Sequence, residues 1–107
     1  MEHMAEESTA RSPELLTDDQ ISEYLTRRPH WRAEGNALRR TVELPSFADA
    51  IEAVGRVGAI AEELDHHPDI DIRWRTLHFS LSTHSAGGIT AKDMQLADKI
   101  DDVLAGY

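Results

Sequence analysis

Apolar residues recur along this chain with two different periods, and the switches between them divide it into elements. Ile21, Tyr24 and Leu25 share one helical face just after Thr17, and Gln20, three residues beyond Thr17, completes a Ser/Thr-x-x-Glu/Gln capping box. A short helix is expected over about 18–28, ended by Pro29, because proline disfavours helical geometry in the residue before it. From Ala37 to Leu44 the period falls to two. Leu38, Val42 and Leu44 take one side of a strand, and Arg39, Thr41 and Glu43 the other. Gly35-Asn36, between this strand and Trp31–Glu34, can supply the positive φ of a tight hairpin. After Pro45 the helical period returns. Phe47, Ala50, Ile51, Val54, Val57, Ile60, Ala61 and Leu64 form one apolar stripe behind a Ser46/Asp49 cap, which predicts a long helix over 47–64. Gly55 and Gly58 within it are read as allowing close packing. Asp65-His66-His67-Pro68 stops that helix, and alternation resumes with Ile70, Ile72 and Trp74 on one side and Asp71, Arg73 and Arg75 on the other. Leu77, Phe79 and Leu81 continue in the opposite parity, so a turn or bulge is expected near Arg75-Thr76. Ser85–Gly88 reads as a loop. Thr90 with Asp93 then caps a last helix carrying Met94, Ala97, Ile100, Val103 and Leu104. The order α-ββ-α-ββ-α predicts an α+β, two-layer sandwich: a four-stranded antiparallel sheet with helices on one face.

Composition narrows the function classes. The 107 residues, 40% hydrophobic and 29% charged, suffice for one packed core. Residues 1–13, polar and acidic without periodicity, are expected to be a disordered tail, and 14–107 a single domain. The absence of cysteine excludes disulfides, zinc–thiolate sites, iron–sulfur clusters and a cysteine nucleophile, and fits a reducing compartment. No apolar run reaches the roughly 18 residues of a membrane helix, and the start lacks a secretory pattern. A cytoplasmic protein without membrane contact is expected. With 11 basic and 20 acidic residues the net charge is −9, which repels phosphate backbones. Only Arg39-Arg40 and the Arg73/Arg75 pair offer local positive charge, so direct nucleic-acid binding is not expected.

Candidate chemistry lies in the histidines. His66 and His67 end the long helix, and a hairpin after Pro68 would bring His84, at the end of its second strand, back beside them. Three imidazoles near a glycine loop can move protons near neutral pH, where histidine titrates. Adjacent histidines at a helix end also cap carbonyls and complement the helix dipole, and that structural reading stands beside the functional one. A zinc site is not expected: neighbours in an extended segment point to opposite faces, and no ligand at helical i+4 spacing completes a set. His78, mid-strand on the polar side, reads as a solvent-facing residue; His3 and His30 carry no assigned role. Ser80, Ser82 and Ser85 sit in no Gly-x-Ser-x-Gly context, and Gly87-Gly88 is too short for a phosphate loop. Asp93 is a cap that can also face the histidines.

The residues carry a resemblance. Leu64-Asp65-His66-His67-Pro68-Asp69, then Leu81-Ser82-Thr83-His84 one hairpin later, then the helix start Gly88-Ile89-Thr90-Ala91-Lys92-Asp93, together resemble the pterin-4a-carbinolamine dehydratase family. The likeness spans about 15–107 and includes Trp31 before the Glu34-Gly35 hairpin. Ile70 and Ile72 stand where the family commonly has aromatic residues, so the pocket wall is expected to differ. The resemblance implies the fold derived above, subunits paired as a homodimer or homotetramer, and no bound cofactor or metal. It implies dehydration of a small-molecule substrate, 4a-hydroxytetrahydropterin, to quinonoid dihydropterin and water in tetrahydropterin recycling. By that resemblance His66, His67 and His84 are the expected catalytic residues, and Asp65, Asp93 and Trp31 the expected substrate-binding ones. Two alternatives remain: a non-catalytic dimeric binding or coactivator module of the same fold, and a dehydratase acting on a different pterin.

Overall fold

The computed structural model describes residues 14–107; the tail expected at 1–13 lies outside the described residues. Helix α1, Asp18–Arg27, begins where the capping box predicts. The Thr17 hydroxyl accepts from the Gln20 amide at 3.1 Å, and the Gln20 side chain accepts from the Thr17 amide at 2.8 Å. Strands β1 (Arg32–Glu34) and β2 (Ala37–Glu43) form a hairpin in which Gly35 alone takes the positive φ, +61°. Helix α2 runs Phe47–Leu64, matching the predicted span, with the Ser46 hydroxyl accepting from the Asp49 amide. Strands β3 (Asp69–Arg73) and β4 (Thr76–Leu81) follow, and helix α3, Ala91–Leu104, closes the chain. All pairings are antiparallel in the order β1-β2-β4-β3. Among the described residues, then, three helices and a four-stranded sheet make the expected α+β sandwich.

The two layers meet over Leu38, Leu77, Phe79 and Leu81 from the sheet and Ala50, Ala53, Val57, Leu96, Ala97 and Ile100 from α2 and α3, all buried. Alanines on the buried face of α2 let the helix approach the sheet closely. Tyr24 anchors α1, with its hydroxyl donating to Asp98 of α3 at 2.6 Å. Among the described residues, no helix is long and apolar enough to cross a membrane.

Four expectations are corrected. The parity switch is a two-residue hairpin at Trp74-Arg75, one position before the expected boundary, and Trp74 is not on the apolar side but 69% exposed, with φ +56°. A bulky residue at positive φ is strained, and tertiary contacts hold it here. Arg75 lies 4.8 Å from the Trp74 ring, and its guanidinium donates to the Leu44 carbonyl at 3.2 Å. Second, Arg40 is not a surface charge: it points into the helix layer, 9% exposed, and pairs with Asp101 of α3. Third, the α2 stripe is wider than the core it covers, leaving Phe47 and Ile51 half exposed. Fourth, a Cβ at Gly55 or Gly58 would meet nothing within 4 Å, so these glycines serve no close packing within the described chain.

Candidate active site

The site forms where three chain reversals converge at one end of the sheet. Helix α2 ends in a Schellman motif: the Asp65 amide donates to the Glu62 carbonyl at 3.2 Å and the His66 amide to the Ala61 carbonyl at 3.0 Å. Asp65 occupies the left-handed position, φ 53°, that glycine usually fills, and aspartate tolerates it better than most residues. The reversal sends His66, His67 and Pro68 across the sheet end before β3 starts. On the other side β4 runs out through Ser82 and Thr83 into a turn over His84–Gly87. The Thr83 carbonyl accepts from the amides of Ala86 and Gly87, and the Thr83 amide donates to the Gly88 carbonyl. Gly87 supplies the positive φ, +79°. The third reversal is the start of α3, where Thr90 and Asp93 form a capping box.

Asp65, His66, His67, Pro68, Asp69, Ser82, Thr83, His84, Ser85 and Lys92 line one cavity of about 360 Å³. The three predicted histidines therefore share one space, bounded also by Asp65. Asp93 lies directly beneath it. Its carboxylate is fully buried, with Oδ1 2.6 Å from His66 Nε2. Oδ2 accepts from the Thr83 hydroxyl and from the Thr90 amide, each at 2.9 Å. The His66 side chain is 11% exposed, so one ring edge is committed to Asp93 and the other is left for the cavity. His67 is half exposed and pairs through Nε2 with Glu62 on α2. His84 is exposed on its turn.

Trp31 is not brought to this cavity. It is 3% exposed in the core, and its indole N–H donates to Asp101 at 2.8 Å. Ile70 and Ile72 pack against the core and line no part of the cavity. His78 sits on the outer sheet face, 3.0 Å from the Thr41 hydroxyl. A larger groove of about 530 Å³ lies between α1 and the β1–β2 hairpin, but its walls are mostly aliphatic or small and Asp18 is its sole titratable side chain. Single histidines line two other cavities, His78 on the outer sheet face and His30 beside Asp101, whereas the cavity at the sheet end gathers three imidazoles suited to proton transfer. Reading the sequence missed Glu62, Thr83 and Lys92 as parts of this site. Thr83 carried a signal, its place just before His84; Glu62 carried none, because its approach to His67 depends on the αL reversal at Asp65.

Comparison with known proteins fits this geometry. A family model described as pterin 4 alpha carbinolamine dehydratase matches residues 14–103. The chain belongs to this family. A Mycobacteroides abscessus protein named as a candidate pterin-4-alpha-carbinolamine dehydratase is 60% identical over 87 residues, covering 81% of this chain and 93% of its own length. A similarly named protein of Mycolicibacterium smegmatis is 54% identical over 91 residues, 85% of this chain and 97% of that one. Among solved structures, a transcriptional coactivator/pterin dehydratase from Brucella melitensis superposes with a TM-score of 0.82 at 27% identity, covering 85% of this chain and 99% of that chain. A pterin dehydratase-like protein identified as a RuBisCO assembly factor in the alpha-carboxysome shares the fold at TM-score 0.58 and 17% identity, over 69% of this chain and 86% of that one.

Proposed function

We propose that this protein dehydrates 4a-hydroxytetrahydropterin to quinonoid dihydropterin and water, as a step in tetrahydropterin recycling. The observation that carries this reading is the convergence of His66, His67 and His84 on one cavity, in a chain of this family. The reaction breaks the C4a–O bond. The departing oxygen takes up a proton and leaves as water, while N5 loses its proton as the C4a=N5 double bond forms. One group must therefore donate near the C4a oxygen and another accept near N5. Imidazoles serve both purposes near neutral pH. His66 and His84, on opposite rims of the cavity, are assigned the acid and base work. His67, steadied by Glu62, positions the ring, and Asp65 contributes to substrate binding at the rim. Asp93 orients His66 from below. The chemistry calls for neither metal nor bound cofactor, since both steps are proton transfers. The setting is expected to be the cytoplasm, and the working unit an assembly of identical subunits.

The test is the dehydration rate of 4a-hydroxytetrahydropterin generated in the cuvette by a pterin-dependent hydroxylase. Acceleration over the spontaneous reaction is expected. No acceleration by a folded protein that still binds a pterin would point to a different pterin substrate. The second reading, a coactivator-like binding module, is favoured by the dual name of the Brucella melitensis structure; absence of both acceleration and pterin binding would put it first.

A further inference from the structure

Behind Asp93 lies a line of polar groups that the proposed reaction does not use. Thr90 and Asp93 are fully buried and Thr83 is 4% exposed, an unusual density of polar side chains for the interior of a small domain. Proton counting fixes the direction of each hydrogen bond among them. Asp93 as a carboxylate can only accept, so the Thr83 hydroxyl spends its single proton on Asp93 Oδ2 at 2.9 Å. The 2.7 Å contact between the two threonine hydroxyls must then carry the Thr90 proton toward Thr83. Thr90 Oγ1 in turn accepts from the Lys92 amide at 3.2 Å, one of the unpaired donors of the first turn of α3. The bonds therefore run one way, from the Lys92 amide through Thr90 and Thr83 to Asp93. At the far end, Asp93 Oδ1 can only accept the proton on His66 Nε2, 2.6 Å away.

We infer that Thr83 and Thr90 are positioning residues that lock neutral His66 in the Nε2–H tautomer, leaving Nδ1 as the nitrogen that exchanges protons in the cavity. The inference rests on the proposed dehydratase reading for its catalytic consequence, but not for the tautomer itself. With both lone-pair directions of Oδ2 occupied, by the Thr83 hydroxyl and the Thr90 amide at 2.9 Å each, the carboxylate cannot rotate away from His66. Removing the Thr83 hydroxyl would free one side of it, strand the Thr90 proton, and let His66 sample both tautomers. Thr90 also caps α3, so Thr83 is the cleaner position to probe.

The experiment is nitrogen-15 NMR of the histidine rings in the intact protein at a pH where His66 is neutral, with His66 assigned by its loss in His66→Asn. The wild type is expected to show a protonated Nε2 and a bare Nδ1. Thr83→Val is expected to give a mixture and to lower kcat about tenfold with KM unchanged, the lower end of the effect of removing a partner behind a functional histidine. Thr83→Ser, which keeps the hydroxyl, should restore both. A wild-type His66 protonated on Nδ1 overturns the inference whether or not Thr83→Val folds. So does a folded Thr83→Val with the wild-type tautomer and kcat, or a Thr83→Ser as impaired as the valine variant. If the wild type fails to accelerate dehydration, the functional reading falls while the ring spectrum still decides the tautomer.

Discussion

His66 and His84 are the side chains on which the proposed chemistry depends, and they are held in opposite ways. His66 is nearly enclosed and tied to a buried carboxylate, whereas His84 stands on an exposed turn. Replacing either by alanine is expected to lower kcat by roughly 100-fold or more, the usual scale for a general acid or base, with the fold intact by circular dichroism. Near wild-type turnover in both would remove them from the mechanism. A different single residue governs stability. Asp101 receives both the buried Arg40 guanidinium and the Trp31 indole, and its side chain is 14% exposed. Asp101→Ala would leave Arg40 charged and unpaired in the interior, where such a loss costs about 3 kcal/mol or more. A urea midpoint well below wild type is the expected result, and an unchanged midpoint would show that water reaches Arg40 freely.

Elements whose causes are local could be read from the chain, and those with distant causes could not. The ends of α1 and α2 follow from Thr17/Gln20 and Ser46/Asp49, contacts three residues long, so their starts were legible. The turn at Trp74-Arg75 was misplaced because what holds Trp74 at positive φ is Arg75 reaching Leu44, far back in the sequence. Arg40, counted in the sequence only as local positive charge, gave no sign of its burial because its partner Asp101 lies on a helix formed 61 residues later. In the site, the histidines stood out through titration chemistry and spacing, while the place of Thr83 before His84 said nothing of its hydroxyl, whose partner Asp93 only the fold brings beside it. Tyr24 shows the same dependence on tertiary contact. Burial first, then its hydrogen bond to Asp98, pushes the phenol well above its ordinary value of 10.0. A group whose folded value is raised contributes stability that is fully present below the unfolded value and lost as pH rises through the folded one. The stability difference between wild type and Tyr24→Phe should therefore hold up to about pH 10 and shrink above it. Urea midpoints of both proteins at pH 8 and pH 11 read this directly, and a constant difference would mean that the tie between α1 and α3 is not sensed by the phenol.

Among the described residues, besides the exposed Leu15 and Trp74, the molecule leaves an apolar surface uncovered at the end of α2 far from the histidines. Phe47 and Ile51 are 50% and 46% exposed, and Gly55 and Gly58 continue along the helix with open space where a Cβ would stand. Glycines without neighbours in their own chain weaken a helix by roughly 1 kcal/mol each relative to alanine. That cost is offset if a second helix approaches there, and the matching face on another copy of this chain is the simplest occupant. The proposed homo-oligomer is thus expected to associate through α2. The histidine cavity sits at the C-terminal end of this 18-residue helix, about 27 Å from its start. Association and catalysis should accordingly separate. Ile51→Glu, which puts a charge into the proposed seam, is expected to sediment as a monomer while keeping kcat per subunit near that of the wild type. A wild-type protein that is already monomeric would remove the proposed assembly, and an Ile51→Glu variant that assembles unchanged would move the contact elsewhere. A monomer with lost activity would instead mean that the neighbouring subunit shapes the cavity, and that the site is not complete within one chain.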